Sequence, residues 1–74
     1  MMYYVVKATI ENNQNTQEIR PHEDYRQALI DFHNVFGGTI AYDTVEVCMM
    51  QLIDIYGNKI EEARYEKPIE ETNP

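Results

Sequence analysis

One segment, residues 45–56 (VEVCMMQLIDIY), constrains the fold more than any other part of the chain. A strand that packs on one side only should alternate apolar and polar residues, because successive side chains point to opposite faces of a sheet. This segment alternates at its ends but is apolar on both faces in its middle. It therefore predicts a strand whose two faces both need cover.

Three further strands are predicted around it. Residues 2–10 are rich in β-branched and aromatic types, and an Asn-rich turn separates them from a short polar edge strand over residues 16–20. The central segment extends over residues 43–56, and Gly57-Asn58 then predicts a two-residue hairpin turn of type II′. A last strand follows over residues 59–65.

A single helix is predicted between the second and third strands, over residues 22–36. Pro21 ends the preceding strand and favours a first helical turn, and the glycine pair Gly37-Gly38 predicts a helix cap. The apolar residues in between follow the helical period. They are Tyr25, Ala28, Leu29, Phe32, Val35 and Phe36.

The order of elements is β-β-α-β-β, which predicts an α+β fold: an antiparallel sheet with one helix packed on one face. Residues 1–66 should form a single domain, and residues 67–74 an acidic, disordered C-terminal tail. A domain of 74 residues buries a small core, so self-association would add stability.

The assignment of faces is less direct. The most continuous apolar set of the first strand (Met2, Tyr4, Val6, Ala8, Ile10) and the odd-numbered residues of the third strand should face the helix. A regular final hairpin then conflicts with the polarity of residues 59–65. Either a β-bulge near Glu61-Glu62 moves Ala63 and Tyr65 to the core side, or both faces of the hairpin are partly apolar.

The second alternative predicts an apolar patch on the sheet face away from the helix. Since one helix cannot cover both sides of a sheet, such a patch would mark a contact surface. We therefore expect a non-enzymatic interaction module that forms a homodimer or binds a protein partner. The candidate interface residues are Tyr3, Val5, Cys48, Met50, Leu52 and Tyr65.

No residue pattern in the chain fixes a catalytic, cofactor or metal site. His22 and His33 are expected on one helix, about 16 Å apart at 1.5 Å per residue, too far to share a metal ion. Cys48 lies within an apolar strand and is expected to be a small packed residue. Gly37-Gly38-Thr39 follows a helix and lacks a P-loop lysine, so it predicts no phosphate site.

The charge balance excludes some partner classes and suggests another. With 13 acidic and 6 basic residues, the chain has a net charge of −7, which disfavours nucleic acid and anionic membranes. A single cysteine and the absence of a long apolar run are typical of a cytoplasmic protein. The alternative function is an acidic inhibitor or nucleic-acid mimic that occupies a basic groove on a partner. No small-molecule substrate is evident from the sequence.

Three stretches together resemble small proteins encoded by phages and prophages of Gram-positive bacteria. They are YYVVKATIEN, YRQALIDFHNVF and QLIDIYGNKIEEARYE, and the resemblance covers residues 3–66. It implies a small α+β accessory protein in the cytoplasm of a bacterial host cell. It carries no functional residues over to this chain.

Overall fold

The computed structural model describes residues 1–68 and confirms the predicted α+β fold. Four strands form one sheet in the order β2-β1-β3-β4, with every neighbouring pair antiparallel and one helix between β2 and β3. Most of the predicted tail, residues 69–74, lies outside the described residues. The elements are β1 (Tyr3–Glu11), β2 (Gln14–His22), α1 (Tyr25–Ile40), β3 (Val45–Asp54) and β4 (Lys59–Glu66).

The first hairpin turns at Asn12 and Asn13, whose φ angles are 52° and 64°. Asparagine tolerates this left-handed conformation better than most residues, and two such residues are typical of a type I′ hairpin turn. β2 is an edge strand as predicted, but it continues through Pro21 to His22. The prediction that Pro21 ends the strand was wrong, because an edge strand can lose one backbone donor.

The helix begins and ends later than predicted. Asp24 is its N-cap, since the Asp24 side chain accepts a hydrogen bond from the backbone N–H of Gln27 at 3.1 Å. The helix then passes through Gly37 and Gly38 without a left-handed residue, so the predicted glycine cap was wrong. Ile40 packs against the core at the end of the extended helix, which favours continuing the helix that far.

The last hairpin is present, but its turn is not the predicted one. The backbone N–H of Gly57 donates to the Asp54 carbonyl at 3.0 Å, and Gly57 has a φ of 83°. The loop therefore spans three residues and ends in a left-handed glycine, as in hairpins with a G1 bulge. The Asp54 carboxylate accepts from the backbone N–H groups of Tyr56 and Asn58, both at 2.9 Å.

A β-bulge at Ile60 settles the register of this hairpin. Leu52 pairs with Glu61 and Ile53 with Lys59, so one extra residue lies on β4, adjacent to the predicted Glu61-Glu62 position. Ala63 and Tyr65 pack against the core, but they pair with the even-numbered residues Met50 and Cys48, whereas the bulge alternative placed them beside the odd-numbered residues of β3. A second irregularity in the β1–β3 pairing, between Ile10 and Glu11, brings Val45 into the same buried cluster as Cys48.

The helix covers the opposite face of the sheet from the one that we predicted. The odd-numbered residues of β1 and the even-numbered residues of β3 lie beneath it, and we call this side the covered face. The buried apolar cluster consists of Val5, Ala28, Phe32, Val45, Cys48, Met50 and Leu52. Tyr3, Leu29, Val35, Phe36, Ile40, Ile60, Ala63 and Tyr65 pack around it.

Candidate interaction surface

The six candidate interface residues all belong to this core. Val5, Cys48, Met50 and Leu52 are fully buried, and Tyr3 and Tyr65 pack against them. The assignment of these residues to the face away from the helix was therefore wrong. The β4 pattern carried the correct signal, because Ala63 and Tyr65 are apolar whereas Glu62, Arg64 and Glu66 alternate with them.

The opposite side of the sheet, which no helix covers, is the side we call the open face. Its central row is β1, where Tyr4, Val6, Ala8 and Ile10 point away from α1. The pairing places Val6 between Ile19 and Gln51, and Ala8 between Gln17 and Met49. The apolar members of the open face are Tyr4, Val6, Ala8, Ile10, Ile19, Val47, Met49 and Ile53.

The open face is uncharged over three adjacent strands. Among the described residues, its positions on β1, β2 and β3 are apolar or carry Asn, Gln or Pro, and charged side chains occur only on β4, at Lys59, Glu62, Arg64 and Glu66. Ile19 is 63% exposed and Met49 40% exposed. Because 26% of the chain is charged, this surface is unusually apolar for a water-facing sheet.

A polar cluster ties α1 to the edge strand β2. Arg20 donates two hydrogen bonds to the Asp31 carboxylate, at 2.7 and 3.1 Å, and His22 Nε2 lies 2.7 Å from Asp31 Oδ2. Burial alone would raise the pKa of Asp31, but the hydrogen bonds and charges of Arg20 and His22 outweigh it and lower that pKa. The cluster fixes the edge strand beneath the helix.

This cluster also corrects the prediction for the histidines. His22 lies on β2 and not on the helix, and its carboxylate neighbour is Asp31. Within residues 1–68, no group of three or more His, Cys, Asp or Glu side chains is arranged to hold a metal ion. Burial raises the pKa of the Cys48 thiol, which disfavours the thiolate that a nucleophile requires.

A cavity of about 390 Å³ opens between the C-terminal half of α1 and the end of the β1–β2 hairpin. Thr9 lines it, is only 6% exposed, and its hydroxyl has no hydrogen-bond partner among the described residues. Tyr42 also lines it. The other lining residues are Lys7, Glu11, Thr16, Val35, Gly38, Thr39 and Val45.

Comparisons of the chain with protein-family models, curated proteins and solved structures found no match. In the part of the chain that the structure describes, no helix is long and apolar enough to cross a membrane. The open face and the cavity are the two candidate sites of this protein.

Proposed function

We propose that this protein is a non-enzymatic interaction module, a small phage or prophage accessory protein of the bacterial cytoplasm, that forms a homodimer through its open face. The observation that carries the proposal is the uncharged apolar surface across β1, β2 and β3. The phage setting rests on the resemblance of sequence alone.

Charge distribution favours a second copy of the chain as the occupant. Two molecules that each carry a net charge of −7 repel one another, and they approach at least cost through the surface with the fewest charges. The charged rim on β4 alternates Glu62, Arg64 and Glu66. A two-fold arrangement lets Arg64 of each copy meet a glutamate of the other, which makes the rim self-complementary.

The size of the open face sets the expected affinity. Strands lie about 4.8 Å apart and rise about 3.3 Å per residue, so four strands of this length present on the order of 550 Å² per copy. Two copies would bury about 1,100 Å², just below the usual range for stable interfaces. We therefore expect a dimer with a dissociation constant on the order of 10 µM.

Shape supports close packing between two such faces. A shallow groove of about 200 Å³ on the open face is lined by Ala8, Ile10, Gln17, Val47 and Met49, among others. Ala8 is the smallest side chain on the central strand and Met49 is its neighbour across the strand pair. The groove can accept an apolar side chain of the second copy, and methionine adapts its shape at such contacts.

Sedimentation velocity between about 1 and 300 µM tests the homodimer, a range that brackets the expected dissociation constant. Met49→Glu places a charge in the centre of the interface and should weaken dimerisation at least about tenfold. Ile30→Glu is the matched control, because Ile30 is 45% exposed on the helix and Met49 is 40% exposed on the open face. A strict monomer at every concentration, or equal effects of both variants, would refute the homodimer.

The alternative, an acidic inhibitor or nucleic-acid mimic, has weaker support. A mimic needs an uninterrupted array of carboxylates, whereas β4 intersperses Lys59 and Arg64 among its glutamates. Lys59 also pairs with Glu62 at 3.0 Å, which neutralises one of the carboxylates that a mimic would present. The charge of β4 is better suited to the rim of an interface.

A further inference from the structure

We propose that the cavity beside Thr9 binds a small zwitterion, a molecule of amino-acid or dipeptide size with an ammonium group and a carboxylate. The cavity lies on the covered side of the sheet, so this inference does not depend on the homodimer. Its volume of about 390 Å³ falls in the range of small-molecule sites.

The first observation that points to a ligand is the unpaired hydroxyl of Thr9. The Thr9 hydroxyl is buried and unpaired within the described residues, although a buried hydroxyl normally has a partner. Thr16 lies directly opposite it on β2 and lines the same cavity. The exposed Thr16 hydroxyl can donate to a carboxylate oxygen or accept from an ammonium group, and a rotation about χ1 of Thr9 would bring its hydroxyl to the same ligand.

The second observation is a helical glycine, Gly38, in the wall of the cavity. A glycine inside a helix lowers helix stability relative to alanine, and a Cβ added at Gly38 would meet nothing within 4 Å. Packing therefore does not require glycine at this position. The absence of a side chain keeps the cavity open from the helix side, where Gly38 lines it.

The charges that line the cavity select a zwitterion. Lys7 and Glu11 lie on the same face of β1 with Thr9 between them, about 13 Å apart at their Cα atoms. A simple anion would meet Glu11, and a simple cation would meet Lys7. A zwitterion has a partner for each charge: its carboxylate lies toward Lys7 and its ammonium group toward Glu11, whose carboxylate keeps acceptor sites beyond the one that Thr44 uses.

Titration of ¹⁵N-labelled protein, followed by amide chemical shifts, tests the proposal. The probes are glycine, β-alanine, 4-aminobutyrate and glycylglycine, which differ in the distance between their two charges. The partial ligands lack one charge (acetate, methylammonium) or both (glucose). We expect saturable shifts at Thr9, Thr16 and Gly38 with a dissociation constant on the order of 1 mM for at least one zwitterion, and roughly tenfold weaker binding of the partial ligands.

Two variants and one control make the test specific to the cavity. Gly38→Leu fills the opening and should weaken binding at least about tenfold, and Thr9→Val removes the hydroxyl and should weaken it several-fold. Gly37→Leu is the control, since a Cβ at Gly37 also meets nothing within 4 Å but Gly37 does not line the cavity. Absence of saturable shifts, equal binding of the partial ligands, or unchanged binding in both cavity variants would overturn the proposal and indicate a cavity that holds only water.

Discussion

Replacing Asp31 with asparagine tests whether the polar cluster holds the edge strand to the helix. Asparagine keeps the shape of the side chain but replaces one acceptor oxygen with an NH₂ group. That group then faces the N–H groups of Arg20 or His22, and the hydrogen bond there is lost. A hydrogen bond to a charged group contributes about 1.5–3 kcal/mol when shielded from water. Here the side chain of Asp31 is 15% exposed and that of Arg20 43% exposed, so solvent screening reduces the contribution.

We therefore expect Asp31→Asn to lower the free energy of unfolding by about 1–2 kcal/mol at pH 7, or the Tm by roughly 5–15 °C. Urea denaturation followed by circular dichroism measures the change. The protein concentration should be about 2 µM, because dimerisation would raise the apparent stability.

The same variant has a defined pH dependence. Folding lowers the pKa of Asp31, so its carboxylate stabilises the protein above its ordinary pKa, and this contribution is lost as the pH falls below about 4. The difference between wild type and Asp31→Asn should be full at pH 7 and should shrink toward pH 3. Other carboxylates titrate in both proteins, so their contributions largely cancel when the free energy of unfolding of the variant is subtracted from that of wild type.

Glu62→Gln is the control for Asp31→Asn. Glu62 also forms an ion pair, with Lys59, but this pair is exposed to solvent and should contribute nothing measurable. Equal stability of wild type and Asp31→Asn at pH 7 would refute the reasoning, and so would a difference that stays constant down to pH 3.

Three further predictions concern the backbone and the core. Gly57→Ala should destabilise the protein by about 1–2 kcal/mol in thermal unfolding, because the φ of Gly57 is 83°. Gly37→Ala should stabilise it by about 0.5–1 kcal/mol in the same assay, since the added Cβ meets nothing within 4 Å. The Cys48 thiol is fully buried with a raised pKa, so its reaction with a thiol reagent should require unfolding and accelerate in parallel with urea.

The elements of the fold were predictable because each has a local signal. The helical period of Ala28 and Phe32, the Asn-rich first turn and the Gly57 hairpin all depend on residues close together in sequence. The errors at Pro21 and at Gly37-Gly38 have a different origin. There, tertiary contacts decide: an edge strand tolerates Pro21, and packing of Ile40 carries the helix past two glycines.

The local patterns disagree about which face the helix covers, because β1 is more apolar on the open face and β4 is more apolar on the covered face, so chain topology decides. β2 and β3 are both antiparallel to β1, so they run parallel to each other and α1 is a crossover between them. Such connections are almost always right-handed. The side of the sheet that the helix occupies is therefore set by the path of the chain, and Lys7 and Thr9 lie beneath the helix although the other face of β1 is more apolar.

This topology explains why both faces of β3 are apolar. Met50 faces the helix and is fully buried, while its neighbour Met49 points to the open face and is 40% exposed. A helix of 16 residues covers one side of the sheet, so the apolar side chains of the other side have no function in the core. Their exposure to water lowers solubility, and the homodimer that we propose would cover them.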